Sequence, residues 1–227
     1  MIDLIKYFRI LFMSPQISRE RLRQFAESHI QRLTVNNPGG IYGAILAAIT
    51  TAYSNFAGNL VDASTLEASS KALTLAKTNA QKAVHDKIRE FEPLLDYTYR
   101  ANRPVYLEFY PQGLTEYDAA TNAVFQTIAQ RFQAAMNAHL ADFPPAEAAA
   151  FNTLMTTYLS SINNELAGEG NVAGERTEIA DTRLALCTQL TTNLLTIALN
   201  NVGNEAQAAV YFDQSILDAA FATNTAA

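Results

Sequence analysis

Histidine is the side chain most often used for metal binding and proton transfer, and this chain contains three histidines: His29, His85 and His139. A di-metal carboxylate site in a helical bundle needs Glu-x-x-His, because ligands one turn apart then point inward together. Ala26, Lys82 and Met136 occupy the positions where the glutamates would stand. No two histidines are four residues apart, so the HExxH zinc motif is missing as well. We therefore expect no metal site and no cofactor.

The glycine-rich segment GEGNVAG, residues 168–174, is the next candidate, because backbone N–H groups beside a helix start attract phosphate. A P-loop needs four residues between its glycines, followed by Lys and then Ser or Thr. Here the outer glycines are separated by five residues, and Glu175 stands where the lysine would be. We expect no nucleotide site and interpret 168–174 as a mobile loop. Cys187, the single cysteine, lies in the apolar pattern of a helix and is expected to be buried rather than nucleophilic.

A corner segment, residues 97–117, contains six of the chain's 22 aromatic residues. Tyrosine offers a flat apolar face and a hydroxyl, so these rings could line a pocket for a planar ligand, a sugar or a peptide. The candidate ligand-binding residues are Tyr97, Arg100, Arg103, Tyr106, Tyr110 and Tyr117. The simpler interpretation is that the rings close the end of a helical bundle and the charges are solvated or paired.

Three carboxylates beside the same corner, Glu108, Glu116 and Asp118, are the remaining candidates for catalysis. Two carboxylates within reach of a sugar can hydrolyse it as a general acid/base pair. However, acidic residues near helix starts usually interact with the helix dipole, and their spacing does not show that they face one cleft. We expect a protein that is not an enzyme, with a hydrolase at this corner as the weakest alternative.

Helical spacing of apolar residues covers most of the chain, and it predicts the elements that position these groups. Residues 36–40 (NNPGG), a break near residues 58–65, and residues 142–147 (DFPPAE) should separate helices, and Pro93 should kink one. The fold prediction is an all-α antiparallel bundle of five to seven helices, with long central helices joined at the aromatic and proline-rich corner. We expect a single domain over residues 14–222 and a frayed tail at 223–227.

Residues 1–13, MIDLIKYFRILFM, should form an apolar docking helix or arm whose charges lie every third residue. The segment is too short to span a bilayer, and its charges are interleaved as they are not in a signal peptide. We therefore expect no integral membrane span and a cytoplasmic or particle-associated protein. The apolar stripe needs a cover, which is the protein's own core, a partner or sister subunit, or a membrane surface. Its residues are Ile2, Ile5, Phe8 and Phe12.

Charge is distributed unevenly along the chain, whose net charge is −6. Residues 1–35 have six Lys/Arg and three acidic residues, whereas 141–227 have two and ten. This pattern lacks the concentrated basic face of a nucleic-acid-binding protein. It suits a head-to-tail contact between copies, with Arg19, Arg21, Arg23 and Arg32 of one copy facing Glu169, Glu175, Glu178 and Asp181 of the next. The alternative is that both charged ends face each other within one bundle.

The function that this sequence predicts is a non-catalytic structural or protein-interaction protein. Only 17% of the residues are charged, and a neutral polar surface tolerates close assembly. We expect self-association into a head-to-tail ring, a filament or another homo-oligomer, or binding to another protein. A ligand- or peptide-binding module that uses the aromatic corner is the alternative.

Overall fold

A computed structural model describes residues 12–221 and the side chains of residues 12–218, and this part of the chain is all-α, as predicted. It contains no strand and eight α-helices: α1 (Arg19–Val35), α2 (Gly43–Thr98), α3 (Arg103–Phe109), α4 (Thr115–Asp118), α5 (Asn122–Ala138), α6 (Pro145–Asn200), α7 (Glu205–Ala209) and α8 (Gln214–Phe221). Two short 3-10 helices cover Pro38–Gly40 and Leu140–Asp142. Most of the predicted docking helix, including Ile2, Ile5 and Phe8, and the predicted frayed tail lie outside the described residues.

Several helix boundaries follow from local sequence signals. The hydroxyl of Ser18 accepts a hydrogen bond from the backbone N–H of Arg21 at 3.2 Å and caps α1. The NNPGG segment ends α1, and Pro38 begins the first 3-10 helix. Gly203 has a φ of 81°, in the left-handed region that glycine adopts without strain, and the Asn204 side chain then caps α7.

The two longest helices correct the sequence interpretation, because each continues through a predicted interruption. Residues 168–174 are helical within α6, and they are not a loop. A glycine inside a helix lowers the stability of the helix by about 1 kcal/mol relative to alanine, and tertiary packing can contribute more than this. Gly168 lies close to Leu73 of α2, since a Cβ there would be 2.7 Å from Leu73 Cδ1 and this leucine side chain would have to move.

Helix α2 likewise continues past Gly58 and through Pro93, so the predicted break near residues 58–65 does not exist. Proline removes one donor from the helical hydrogen-bond ladder. Close to that gap, the hydroxyl of Tyr110 donates a 2.6 Å hydrogen bond to the carbonyl of Ile88. This contact from another element supports α2 at the turn that Pro93 weakens.

The described residues form two compact units, whereas the sequence predicted one domain over 14–222. We call residues Leu66–Val172 the central unit, and the residues up to Thr65 together with those from Ala173 the terminal unit. In the central unit, Lys87 of α2 forms an ion pair with Glu147 of α6 at 2.5 Å. In the terminal unit, Asn201 after α6 donates to the Tyr42 hydroxyl before α2 at 3.0 Å. A second contact in each unit, Lys77 with Glu165 and Asn59 with Thr182, pairs a position farther along or back in α2 with the opposite shift in α6, so the two helices run antiparallel within each unit.

The core of the central unit is built from aromatic rings, with Phe132 of α5 in its middle. The ring centroid of Phe132 lies 5.2 Å from that of Phe109 and 5.2 Å from that of Phe151. Its other ring neighbours are Phe91, Tyr110 and Tyr117. The fully buried side chain of Phe132 thus contacts rings from α2, from the corner segment and from α6.

The core of the terminal unit is mainly aliphatic and contains two fully buried polar side chains, His29 and Asn193. Leu22 and Phe25 of α1 are buried in the same cluster as Leu186 and Leu190 of α6. His29 of α1 is fully buried among them and is hydrogen-bonded on both ring nitrogens. Helix α8 packs on α1 and completes this unit.

Candidate functional surfaces

The aromatic corner does not bring its six candidate residues together. Tyr106, Tyr110 and Tyr117 are buried in the core of the central unit, whereas Tyr97 is 76% exposed. The hydroxyl of Tyr117 donates to the carbonyl of Phe109, just as that of Tyr110 donates to Ile88. Both hydroxyls are thus hydrogen-bonded inside the protein. Burial disfavours the charged phenolate and raises the pKa of Tyr117 to about 12.

The two arginines of the corner lie outside this core. Arg103 stacks on the Tyr106 ring, 3.9 Å from its centroid, and pairs with Asp96 at 2.7 Å. Arg100 is exposed. The tyrosine rings therefore close the central unit, as the simpler interpretation of the sequence has it, and the arginines cover its surface.

The three candidate carboxylates each bind a different partner, and they do not face one cleft. Glu116 receives a bidentate hydrogen bond from Arg131, at 2.8 and 2.7 Å. Glu108 lies 3.0 Å from the Nε2 atom of His139, and Asp118 lies 2.9 Å from that of His85. A glycosidase needs two carboxylates on opposite sides of one bond. This arrangement gives no such pair.

His85 and Asp118 form a pair that sequence reasoning missed, because 33 residues separate them and neither belongs to a recognised motif. They line a cavity of about 270 Å³ in the central unit together with Thr78, Lys82 and Tyr117. A carboxylate can fix the tautomer and orientation of a histidine that acts as a base. The hydroxyl of Thr78 donates to the carbonyl of Thr74 within the helix, so the described lining supplies no activated nucleophile to this pair.

Cys187 is equally unsuited to nucleophilic chemistry. Its side chain is fully buried in the terminal unit, and its thiol donates to the carbonyl of Phe12 at 3.3 Å. Burial raises the pKa of this thiol to about 11, so the thiolate form is scarce at neutral pH. The sequence prediction of a buried cysteine is confirmed.

The charged residues of the predicted head-to-tail contact are only partly available for it. Arg23 pairs with Glu20 at 2.7 Å, and Arg32 pairs with Asp213 at 2.6 Å, both within the terminal unit. Among the described residues, no ion pair forms at Arg19 or Arg21. Of the acidic partners, Glu169, Glu178 and Asp181 are exposed on α6.

Glu175 differs from these exposed acids, because one of its carboxylate oxygens is buried without a hydrogen-bond partner in the described part of the protein. Burial, followed by the nearby charges of Glu178 and Asp62, raises the pKa of the carboxyl group. This side chain is therefore poorly placed to pair with an arginine of another copy.

One end of the terminal unit exposes several aliphatic side chains, and the two segments that form it contain no charged residue. The chain has no Asp, Glu, Lys or Arg in residues 33–61 or 184–204. We call residues 33–42 and 195–204 the neutral end. The Tyr42 N–H donates to Asn37 at 2.9 Å and its hydroxyl accepts from Asn201, which holds both segments at the same place. Its exposed aliphatic residues are Val35, 81% exposed; Ile41, 62%; Leu199, 75%; and Val202, 81%.

An apolar cavity of about 290 Å³ lies elsewhere in the terminal unit. We call it the Phe12 cavity. Among the residues that the structure describes, its apolar walls are the side chains of Phe12, Ile17, Phe25, Leu194, Phe212 and Leu217, and its polar lining residues are Ser14 and Gln214.

Two further features bear on the sequence predictions. Among residues 12–221, no group of three His, Cys, Asp or Glu residues is placed to hold a metal ion. In the same part of the chain, α2 is long and apolar enough to cross a membrane by length and composition alone, although the core helix of many proteins passes the same test.

Comparison of the chain with protein-family models, with curated proteins and with solved structures finds no match.

Proposed function

We propose that this chain is a non-catalytic protein that self-associates through the neutral end of its terminal unit. The observation that carries the proposal is the set of four exposed aliphatic side chains in two segments, residues 33–42 and 195–204, that contain no charged residue. Covering apolar surface contributes roughly 25 cal/mol per Å², and exposed apolar patches of this kind typically mark interaction sites.

The absence of charge at this surface supports a second copy as the partner. Two identical charged surfaces would repel each other, and burying their charges would cost free energy. Two neutral ends meet without either cost. Asparagine side chains flank the aliphatic residues, with Asn37 before Ile41 and Asn201 before Val202, and they supply the polar rim that specific interfaces have.

The contacts at the candidate catalytic residues also support a non-catalytic function. Each corner carboxylate already has a partner within the central unit, and Cys187 is buried as a thiol. A self-associating protein needs none of these groups to be free.

The test is the mass of the particle in solution, measured by light scattering or sedimentation over a range of protein concentrations. Val202→Asp and Leu199→Asp place a charge on the neutral end without disturbing a buried side chain. Val61→Asp is the matched control, because Val61 is also an aliphatic residue of a helix surface and is 66% exposed. We expect the wild type and the control to associate, and both variants at the neutral end to remain monomeric.

Salt and lipid distinguish the alternatives. Association through the neutral end should persist at about 0.5 M salt, where the short Debye length would weaken a head-to-tail contact between arginines and acids. A wild type that is monomeric at high micromolar concentration would contradict the proposal. If Val202→Asp instead removes binding to neutral lipid vesicles and leaves the mass unchanged, the neutral end contacts a membrane surface and the proposal is wrong.

A further inference from the structure

A polar cavity of about 330 Å³ lies in the terminal unit at the end of α1, where the chain turns toward α2. We call it the Asn36 cavity. Its polar lining residues are Thr34, Asn36, Asn37, Gln207 and Tyr211, and its apolar ones are Val35 and Pro38. Among the described residues, no charged side chain lines it. The lining is therefore suited to a ligand that is polar and neutral.

The nearest charged residue along α1 is Arg32, one turn before Asn36, and its guanidinium is already occupied. It pairs with Asp213 at 2.6 Å and donates to the carbonyl of Val210 at 3.2 Å. An anionic ligand would have to break this ion pair, because the described lining offers no other cation. The charges around the cavity thus favour a neutral ligand over an anion.

The side-chain amides of the cavity have unused hydrogen-bonding groups of both kinds. The amide nitrogen of Asn36 donates to the carbonyl of Arg32 at 3.0 Å, which leaves its oxygen as an acceptor. The oxygen of Asn37 accepts from the N–H of Tyr42 at 2.9 Å, which leaves its nitrogen as a donor. In the described part of the chain, only the backbone N–H of Gln207, and not its side chain, donates to a cap. A ligand group that both donates and accepts would suit all three amides.

The hydroxyl of Tyr211 is a further polar group without a partner among the described residues. Tyr211 lines the cavity and is only 1% exposed. Its ring packs edge-on against Tyr42 at a centroid distance of 5.2 Å, and its carbonyl accepts from His29. The hydroxyls of Tyr42 and Tyr110, in contrast, are both hydrogen-bonded inside the protein. Because the large majority of buried polar side chains have a partner, we expect one for Tyr211 inside the cavity.

We propose that the Asn36 cavity binds one neutral sugar residue. A sugar hydroxyl donates and accepts at once, so adjacent hydroxyls can pair with the unused amide groups and with the hydroxyl of Tyr211. Val35 and Pro38 provide apolar contacts for the C–H groups of the sugar ring. The cavity volume is roughly twice the 150 Å³ that holds one benzene molecule, which leaves room for a six-membered ring with its hydroxyl groups.

The test titrates the full chain with glucose, galactose, mannose and N-acetylglucosamine at millimolar concentrations, followed by NMR. Tyr211→Phe removes only the hydroxyl, and Gln207→Ala removes one amide. Tyr42→Phe is the matched control, because its hydroxyl accepts from Asn201 and does not line the cavity. We expect at least one of these sugars to bind the wild type and the control alike. Each cavity variant should raise the Kd roughly fivefold, as expected for the loss of one neutral hydrogen bond.

Thermal unfolding separates a binding role of these groups from a structural one. Tyr211→Phe should keep the melting temperature of the wild type, because no hydrogen bond to a described residue is lost, whereas Tyr42→Phe should lower it. If none of the four sugars binds, the proposal is wrong. The same holds if the wild type, Tyr211→Phe and Gln207→Ala bind with equal affinity, since the sugar then binds elsewhere. Tighter binding of glucuronate than of glucose would identify an anion site and would also overturn the proposal.

Two sources carry this chemistry, a free sugar and the end of a glycan chain. Retention of the protein on immobilised glycans that end in the bound sugar assigns the site to a chain end, and binding of the free sugar alone assigns it to a small molecule. Val202 does not line the cavity, so Val202→Asp should bind the sugar as the wild type does, whatever its particle mass. Failure of sugar binding is therefore distinguishable from failure of association at the neutral end.

Discussion

Lowering the pH should destabilise the terminal unit through His29. The Nδ1–H of His29 donates to the carbonyl of Tyr211 at 2.8 Å, and Nε2 accepts from the side-chain amide of Asn193 at 3.0 Å. The Asn193 amide is oriented to donate to His29, because its oxygen accepts a hydrogen bond from the side chain of Gln189 at 2.7 Å. Phe212 stacks on the imidazole at a centroid distance of 4.5 Å. A second proton on the ring would be buried and would face a donor.

Burial therefore lowers the pKa of His29 from 6.5 to about 4 in the folded protein, and the hydrogen bond to Tyr211 opposes this only in part. The unfolded chain takes up a proton near pH 6.5, whereas the folded protein does so only near pH 4. The stabilisation by neutral His29 is complete above pH 6.5 and is lost as the pH falls from 6.5 to 4. Linkage gives a loss of about 3 kcal/mol over that range and about 2 kcal/mol by pH 5.

The pH interval separates this effect from those of the carboxylates. Hydrogen bonds to Arg23, Lys82, Lys77 and Ser215 lower the pKa values of four carboxyl groups: Glu20, Asp86, Glu165 and Asp213. Their contributions to stability are lost only as the pH falls through the region below their ordinary pKa values of about 4. Between pH 7.5 and pH 5, His29 should dominate.

The assay is urea unfolding followed by circular dichroism at pH 7.5 and pH 5.0, for the wild type and for His29→Gln. Glutamine keeps a donor and an acceptor but does not titrate. His85 and His139 are present in both proteins, so their contributions cancel in the comparison. Hydrogen exchange of α1 peptides localises the change to the terminal unit. If both proteins lose the same stability between the two pH values, the reasoning about His29 is wrong.

Two further predictions concern stability. Gly170→Ala should raise the free energy of unfolding by about 0.5–1 kcal/mol, because the site is helical and a Cβ there has open space. Gly203→Ala should lower the free energy of unfolding, because a φ of 81° is strained for alanine. Thermal unfolding measures both, and no gain at Gly170 would contradict a continuous α6. Phe132→Ala should cost about 3–5 kcal/mol by leaving a cavity among five rings, while Val124→Ala on the exposed side of α5 should cost less than 1 kcal/mol.

The fold class was predictable from the sequence because helical spacing recurs wherever a helix buries one side. A local signal also predicted the turn at residues 36–40, since proline geometry depends on neighbouring residues. The glycines at 168–174 misled the prediction because the packing around them is not local: Gly168 lies close to Leu73, 95 residues earlier in the chain. A contact of that separation has no local signature.

The candidate sites show the same limit. A sequence rich in tyrosine and arginine is typical both of a ligand pocket and of a packed corner, and only the hydrogen bonds from Tyr110 and Tyr117 to backbone carbonyls separate the two. In the sequence, His29 appeared only as one of three histidines tested for a metal-binding motif. Its partners, Asn193 and Tyr211, lie 164 and 182 residues away.

The uneven charge of the chain has a partial explanation within the terminal unit. Arg32, from the basic first part of the sequence, pairs with Asp213 from the acidic last part and also donates to the carbonyl of Val210. At least one ion pair between the basic first part and the acidic last part of the sequence therefore forms within the protein. An arginine held in this way has to break an existing ion pair before it can bind another copy, which leaves little net gain from an exposed contact. The ion pair of Arg32 with Asp213 therefore favours the proposal that copies meet through apolar area, as at the neutral end, over a contact that uses this arginine.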